Sequence, residues 1–475
     1  MKLFKFIVVI HLLCGLMAGS CHKSAVGQST ETPDAKKDSV PVRMRVWYVS
    51  DSLSYSSYDS AIGVYDHDPA CYSIFGRAMQ RAAVNGGGRI TLEPAVYPLS
   101  ITLRLCSNLL LKGDTDTSGN VLLQLQVPKT IIEGNNISYT TISHFGIRNA
   151  LNRGGEGILL YNGSSHNLIN DISVSNIGYN GINISDTTSR YNTIQHCSIT
   201  DIMKAGIACY NKSQNVLIQN NTVIRTGDHG IILTGGSNCR IKNNMVDSSG
   251  YYTLGGNNAF AHGIAIDGHS GAWFCSMDTI DGNRITNSGS AGIEVADGVS
   301  HVLISGNYIN NTGVTVDHDQ YGIYFGGTFA TGNDITIEHN EVYHCLWEGI
   351  RVGGNSSGVG NTDLVKITGN TVDSVVRQGI IVHYSSNIDL GNNNVRHASE
   401  TGIVLTGWSA AYKIAGAAIS NNQATDCSGP GFSIAYASDP VFTDNDFCGN
   451  GAVSQAQGTG VDNVVVNGTN GCLDL

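Results

Sequence analysis

Two carboxylic acids, Asp267 and Glu294, occur in consecutive copies of one short phrase, offset by two residues within it, and Tyr324 and Arg351 stand where Glu294 does in the next two copies. Two carboxyl groups, one kept protonated as acid and one ionised as base or nucleophile, cleave a glycosidic bond when they lie about 5 to 9.5 Å apart. β-Elimination asks for a different set: a cation to neutralise a uronate carboxylate, a base for its α-proton and an acid for the leaving oxygen. Arg351 can supply the first, and Tyr324, His229 or His262 the others. Glu348 is a third acid. It precedes the Gly of its copy as His229, His262 and Tyr321 precede theirs, and His383 takes the place that Asp267 has in its own copy.

These residues share a neighbourhood only if the phrase that carries them stacks. It opens at Gly157, Gly181, Gly206, Gly230, Gly263, Gly292, Gly322, Gly349, Gly379, Gly402 and Gly431, a recurrence every 23 to 33 residues. Such a period marks a solenoid, whose repeats bury their apolar edges only against one another. Ile follows the Gly in every copy but the last, which has Phe432, and the residue two further on is again apolar, as Leu160, Ile266, Val295 and Val382 are. That alternation is a strand with one face inward. A second strand carries an Asn column at Asn221, Asn244, Asn283, Asn307, Asn340, Asn370, Asn393, Asn422 and Asn445, with Cys197 in that place one turn earlier. Stacked amides satisfy each other's donors and acceptors along an axis, so the coil is a parallel β-helix.

If coils stack at about 4.8 Å, the outward residues of the phrase can be read in order along the axis. They run Leu159, Asn183, Ala208, Ile232, Ala265, Glu294, Tyr324, Arg351, Ile381, Val404 and Ser433, bland at both ends and polar at the centre. Asp267 and Glu294 are then roughly 8 Å apart, in the inverting range of a hydrolase. The longest insertions flank this centre: residues 248–261, with Tyr251, Tyr252 and Phe260, and residues 312–320, with Asp317, His318 and Asp319. Long loops beside a polar patch make the walls of a groove, and their aromatic rings can stack on sugars. Ala296, Gly326 and Gly353 leave floor space beside Glu294, Tyr324 and Arg351. The same three residues could also serve as a cross-strand ladder with no chemistry.

The chain opens with Met1-Lys2-Leu3-Phe4-Lys5, an apolar run from Phe6 to Leu16, then Ala18-Gly19-Ser20-Cys21. This is the pattern of an export signal over residues 1–20, too short for a membrane span. Its end resembles a bacterial lipoprotein cleavage site, which would put a lipid on Cys21. Export is therefore expected, with an outer-membrane lipoprotein as the destination and ordinary secretion as the alternative. Residues 21–42 read as a tether, and residues 43–475 as one long domain. The formal net charge is −11 with no cluster of Lys or Arg, which argues against nucleic acid; the membrane is reached only through the lipid. The 12 cysteines lack CxxC spacing, so neither a zinc site nor a disulfide framework is expected, and Cys197 and Cys209 read as packing residues.

Ahead of the repeats, Ser73 to Ala83 has helical apolar spacing and is followed by Asn85-Gly86-Gly87-Gly88, and short strands then run to Leu109-Leu110-Leu111-Lys112-Gly113. A helix across an open solenoid end caps its unpaired backbone. A helix, a Gly-rich turn, strands ending in Leu-Leu-Leu-Lys-Gly and then Asn-and-Gly coils resemble the pectate-lyase-like superfamily of right-handed parallel β-helix proteins over nearly the whole chain. The resemblance implies an all-β right-handed solenoid with a short N-terminal capping helix and a polysaccharide along one strand face. It leaves the reaction open among lyases, hydrolases and epimerases, and non-catalytic adhesins share the scaffold. Of the strings typical of polygalacturonase-like enzymes only Arg240-Ile241-Lys242 is present, on the Asn-column strand and away from the groove.

Three readings follow. As a glycoside hydrolase, slightly favoured, the chain uses two of Asp267, Glu294 and Glu348 with Tyr324 and Arg351 as positioning groups, and needs no cofactor. As a lyase or epimerase of a uronate polymer it uses Arg351, Tyr324 and a histidine, and Ca²⁺ held by Asp267 and Glu294 would bridge the acidic groove to the acidic substrate. As a glycan-binding surface protein it has no catalytic residue. In each, His229, His262, Tyr321, His383, Tyr251 and Tyr252 are candidate substrate contacts.

Overall fold

Each Gly-Ile phrase forms one strand of a sheet that runs the length of the protein. The computed structural model describes residues 43–46 (backbone only), 82–84, 86–92, 94–99, 101–115, 120–149, 154–252, 260–268, 275–315, 319–326, 332–353, 362–410, 412–455 and 458–474. All fall within one compact unit, Pro41–Leu475. The export signal, Cys21, the tether and most of the capping helix lie outside them. Of that helix, residues 82–84 are helical, and the Gly86 and Gly87 N–H groups close it on the Ala83 and Ala82 carbonyls.

The chain winds about 13 times as a parallel β-solenoid. One sheet has 13 strands, from Leu103–Arg104 to Phe432–Ala435, and a second, bent sheet has 28; the pairings within both are parallel. The eleven phrases are the last eleven of the 13. The first two coils, through Leu103–Arg104 and Ile132–Asn135, belong to the solenoid without carrying the Gly. The register joins Ala265, Glu294, Tyr324, Arg351, Ile381 and Val404 in one outward line, as the sequence predicts. Between the sheets runs one continuous core from Ile90 to Phe447, with Ile293, Val295 and their counterparts fully buried. The Gly column is required by close approach: a Cβ on Gly292 would sit 2.4 Å from Ile309 Cγ2 and 2.7 Å from the Gly322 carbonyl oxygen.

The Asn column forms an unbroken amide ladder. From Asn221 onward each Nδ2 donates to the Oδ1 of the next coil, through Asn244, Asn283, Asn307, Asn340, Asn370, Asn393, Asn422 and Asn445 to Asn470. Asn307 shows the stakes. Its Oδ1 accepts from Asn283 N at 2.9 Å and Asn283 Nδ2 at 3.0 Å, and its Nδ2 donates to Asn340 Oδ1 and the Ile280 carbonyl, both at 2.9 Å. Asn307→Leu keeps the volume but strands buried groups on both neighbouring coils. We expect a loss of about 3 kcal/mol or more, read as a lowered denaturation midpoint; an unchanged midpoint would show that the ladder is ornamental.

Cys197 and Cys209 are buried free thiols, as read from their columns. The expectation of no disulfide framework needs one amendment: Cys448 and Cys472 form a disulfide that ties together the last turns. Their 24-residue separation is one coil length, so the two positions stack and their thiols meet.

Candidate active site

At four of the phrases, Glu156, Asn180, His229 and His262, the side chain before the Gly reaches forward and accepts the backbone N–H of the next coil. Asn180 N donates to Glu156 Oε2 (3.0 Å), Ala205 N to Asn180 Oδ1 (3.1 Å), His262 N to His229 Nδ1 (3.3 Å) and Ala291 N to His262 Nδ1 (3.1 Å). For the two histidines this fixes a tautomer: Nδ1 is the acceptor, so in the neutral ring the proton is on Nε2. His262 Nε2 lies 2.7 Å from Glu294 Oε2, and His229 Nε2 lies 3.4 Å from Asp228 Oδ1. The two rings stack with centroids 5.2 Å apart.

Glu294 is thus an outward carboxylate seated on a fully buried histidine. Burial works to raise its carboxyl, but the charge and N–H of His262, with the charge of His229, outweigh it and hold Glu294 below the usual carboxylate range. Burial disfavours charge on His262, and Glu294 more than offsets that, so this ring sits above the ordinary histidine value. His229 is held below it, chiefly by burial. The same architecture carries an acid at the N-terminal end: burial lifts Glu156 to about 7, while Asn183 and Asn180 donate to it and pull the other way.

Glu294 faces a cavity of about 310 Å³ whose lining includes four carboxylates, Asp267, Glu294, Asp297 and Asp319, together with Tyr324 and Phe260. His229, Ile232, Ala265 and Ala296 complete its lining. Asp267 lies on the adjacent strand, in register with Ala296, two residues along from the Ala265–Glu294 pair. The sequence reading had placed Asp319 only in a flanking insertion and had passed over Asp297, which follows its strand in a left-handed turn at φ 59°. An acid directly after a recurring strand is the signal that would have found it.

Beside the cavity a second group forms around Arg351. Its guanidinium donates to Glu348 Oε1 at 3.3 Å and lies 5.4 Å from the centre of the Tyr321 ring, which stacks on Tyr324 at 4.9 Å. Burial, with a smaller push from Arg351, holds His383 down at about 4, so it is neutral at physiological pH. Burial also lifts the Tyr324 hydroxyl, with Arg351 offsetting part of the effect.

Burial bears on two expected substrate contacts and one expected catalytic acid: His262 is 0% exposed, Tyr321 6% and Glu348 3%, so none of the three presents its side chain to solvent. Tyr251 and Tyr252 are not among the cavity's lining residues. Tyr252 donates its hydroxyl to Asp201 Oδ1 at 2.6 Å, next to the Arg225–Asp201 ion pair of the other sheet, and Tyr251 packs edge-on against it. Arg240-Ile241-Lys242 lies in that other sheet too, where Lys242 pairs with Asp281.

Comparison with known proteins agrees with this architecture. Residues 246–419 match the family described as right handed beta helix region, and residues 107–319 match the family described as periplasmic copper-binding protein (NosD). No curated protein matches the chain. Among solved structures it is similar to a GH87 alpha-1,3-glucanase catalytic domain in complex with tetrasaccharides, at 14% identity and a TM-score of 0.52 over 92% of this chain and 70% of that one. The A-module of an Azotobacter vinelandii mannuronan C-5 epimerase gives 14% identity and a TM-score of 0.42 over 85% of this chain and 92% of the module. A tailspike of an Escherichia coli O157:H7 bacteriophage gives 14% and 0.38 over 66% of this chain, which spans only 40% of that protein. What these comparisons share with this chain is the fold, a parallel β-helix, with the right-handed family model matching over residues 246–419. Copper, named in one family description, finds no matching donors: among the described residues no three His, Cys, Asp or Glu side chains are grouped to hold a metal ion.

Proposed function

We propose that the chain is a glycoside hydrolase acting on a neutral polysaccharide laid along the 13-stranded sheet, with inversion at the anomeric carbon. The observation that carries the reading is Glu294, an outward carboxylate that a buried, tautomer-fixed histidine holds ionised at the edge of a cavity with three further acids. Glu294 is the base: it takes a proton from water as the water oxygen bonds to the anomeric carbon. The glycosidic bond breaks in the same step, and Asp267 gives its proton to the departing oxygen. One water is consumed and one reducing end appears. Tyr324, at the cavity wall, is placed to hydrogen-bond a sugar hydroxyl as a neutral phenol.

The neutral substrate follows from charge. A cavity lined by four carboxylates repels a polyuronate, and Arg351, the cation an elimination would need, is already paired with Glu348. The solved glucanase domain, of the same fold, carries tetrasaccharides in its structure, which is consistent with a glycan partner for this chain. Export is part of the proposal, supported by the Cys448–Cys472 disulfide, which belongs to an oxidising compartment, and by the periplasmic family description.

Incubation with a panel of neutral and uronate polysaccharides tests it. We expect new reducing ends from a neutral polymer, no ultraviolet absorbance from unsaturated products and no effect of chelator. Unsaturated products, loss of activity on chelation, or cleavage confined to uronates would overturn the hydrolase assignment.

A further inference from the structure

Three buried side chains that precede the Gly of their copies each lie against an outward one: His262 against Glu294, Tyr321 against Tyr324 and Glu348 against Arg351. For His262 the effect is electrostatic. The other two belong to a single column. Glu348 accepts from the Arg351 guanidinium, the guanidinium lies 5.4 Å from the centre of the Tyr321 ring, and that ring stacks on Tyr324 at 4.9 Å and 25°. Cation–π contact and ring stacking restrict the tilt of a ring as well as its place. As a device for stability the column is poor. Glu348 Oε2 and Arg351 Nε are buried without a hydrogen-bond partner among the described residues, and a buried ion pair with such gaps barely offsets its desolvation.

What the column fixes is the pose of one phenol. The Tyr324 ring lies along its own strand and over Gly326: a Cβ on Gly326 would sit 2.7 Å from Tyr324 Oη and 2.9 Å from Cζ, and 2.5 Å from the Gly353 carbonyl oxygen. Only glycine leaves room for the ring there. Gly326 is in register with Ala296, and Ala296 with Asp267. The hydroxyl thus stands two strands from Asp267 with Ala296 between them, although the Tyr324 backbone is in register with Glu294. Asp267, Ala296 and Tyr324 all line the cavity. Two strand spacings are roughly 10 Å, which leaves room for one sugar ring with its hydroxyls.

We infer that Glu348, Arg351 and Tyr321 are positioning residues for Tyr324: they hold its phenol over Gly326, so that the hydroxyl bonds the sugar unit seated over Ala296 from the side opposite Asp267. The inference rests on the hydrolase reading for its substrate, a neutral polysaccharide. Burial keeps the phenol protonated, so it can donate to a sugar oxygen and accept from a sugar hydroxyl. Arg351 touches no sugar and acts through the Tyr321 ring. A site built to bond a hydroxyl rejects a unit that lacks it, so Tyr324 is a specificity determinant and the column behind it sets how sharply it discriminates.

Affinity electrophoresis of the full chain through gels containing dextran, mannan, xylan or mixed-linkage β-glucan reads binding, and reducing-end release from the same polymers reads turnover. We expect at least one polymer to retard the wild type. Tyr324→Phe deletes one hydroxyl and should weaken binding about tenfold. Tyr321→Leu should weaken it by a similar factor, and Tyr321→Phe, which keeps the ring, recovers most of the loss. Glu348→Gln with Arg351→Met removes both charges together, leaves neither buried alone, and should weaken binding about fivefold. The deciding comparison is a double-mutant cycle: on the Tyr324→Phe background neither Tyr321→Leu nor the paired substitution weakens binding further. A merely structural column would lower the unfolding midpoint and weaken binding equally on both backgrounds, which overturns the inference. So does retardation of the wild type by none of the polymers. Release of reducing ends together with a Tyr324→Phe chain that binds like wild type overturns the inference and keeps the hydrolase reading. Retardation that follows the expected cycle without any reducing ends keeps the column and removes the hydrolase reading.

Discussion

Glu294→Gln lowers kcat by about 10³-fold while leaving polysaccharide binding and the unfolding midpoint near wild type. The amide keeps the shape of the carboxylate and still offers an oxygen to His262 Nε2, 2.7 Å away in the wild type, so the packing survives. What it loses is the ability to accept a proton from water. The supporting histidine gives a second, independent readout. His262→Leu removes the N–H and the charge that depress the Glu294 carboxyl and leaves burial, which raises it. A base with a higher pKa is protonated at higher pH, so the acidic limb of the kcat/KM profile moves up. The stability linkage has the same sign: a depressed carboxyl contributes stability above its unfolded value, and that contribution is lost as pH falls through the folded value. A pH–rate series on wild type and His262→Leu checks this. A limb that stays in place, or a Glu294→Gln enzyme with normal turnover, sinks the assignment of Glu294 as base.

Asp278→Asn makes the protein more stable at neutral and alkaline pH. Asp278 is 1% exposed and stands in a column that holds Asn167 and Asn192 in earlier coils. As Asn167 Oδ1 accepts the Thr140 N–H, so Asp278 Oδ1 accepts the Cys239 N–H, at 2.8 Å. Burial pushes this carboxyl up from 3.8 to about 8, the Cys239 bond offsetting only a part. The folded chain therefore holds a proton that the unfolded chain has released. Stability falls as pH rises from about 4 and levels off above about 8, with a total cost of order 5 kcal/mol at most. An asparagine carries no such charge. Its Nδ2 would stand where that of Asn192 does in an earlier coil, which donates to a backbone carbonyl, that of Ser164, at 2.8 Å. Chemical denaturation near pH 5 and pH 8 checks it: wild type should weaken by a few kcal/mol between about those two values and Asp278→Asn should not. A variant less stable than wild type near pH 8 would show that the acid has an unrecognised partner.

Much of the site was legible because the strand phrase is local and repetitive. Period-two alternation decides which side chains face out, and the recurring Gly and Asn decide where each coil turns. Glu294, Tyr324 and Arg351 therefore had to share one line once coils stacked, and they do. The direction of the residue before each Gly was not legible. It depends on a backbone bend, and the bend turns His262 under Glu294 instead of toward a ligand. Tyr252 was misread for a related reason. A residue in an insertion obeys no column, and a single hydrogen bond to Asp201 takes it to the other sheet.

By itself, the order of residues determined the solenoid, the strand register, the inward and outward columns and the line of polar groups at the centre. These depend on neighbours a few residues apart and on a repeat length that brings like positions together. Tertiary structure alone decided which of those groups meet solvent, and that Asp297 and Asp319 join Asp267 and Glu294 around one cavity. Burial and electrostatic coupling are properties of closure in three dimensions. An insertion that folds over one coil changes the surroundings of the next without changing a residue in it.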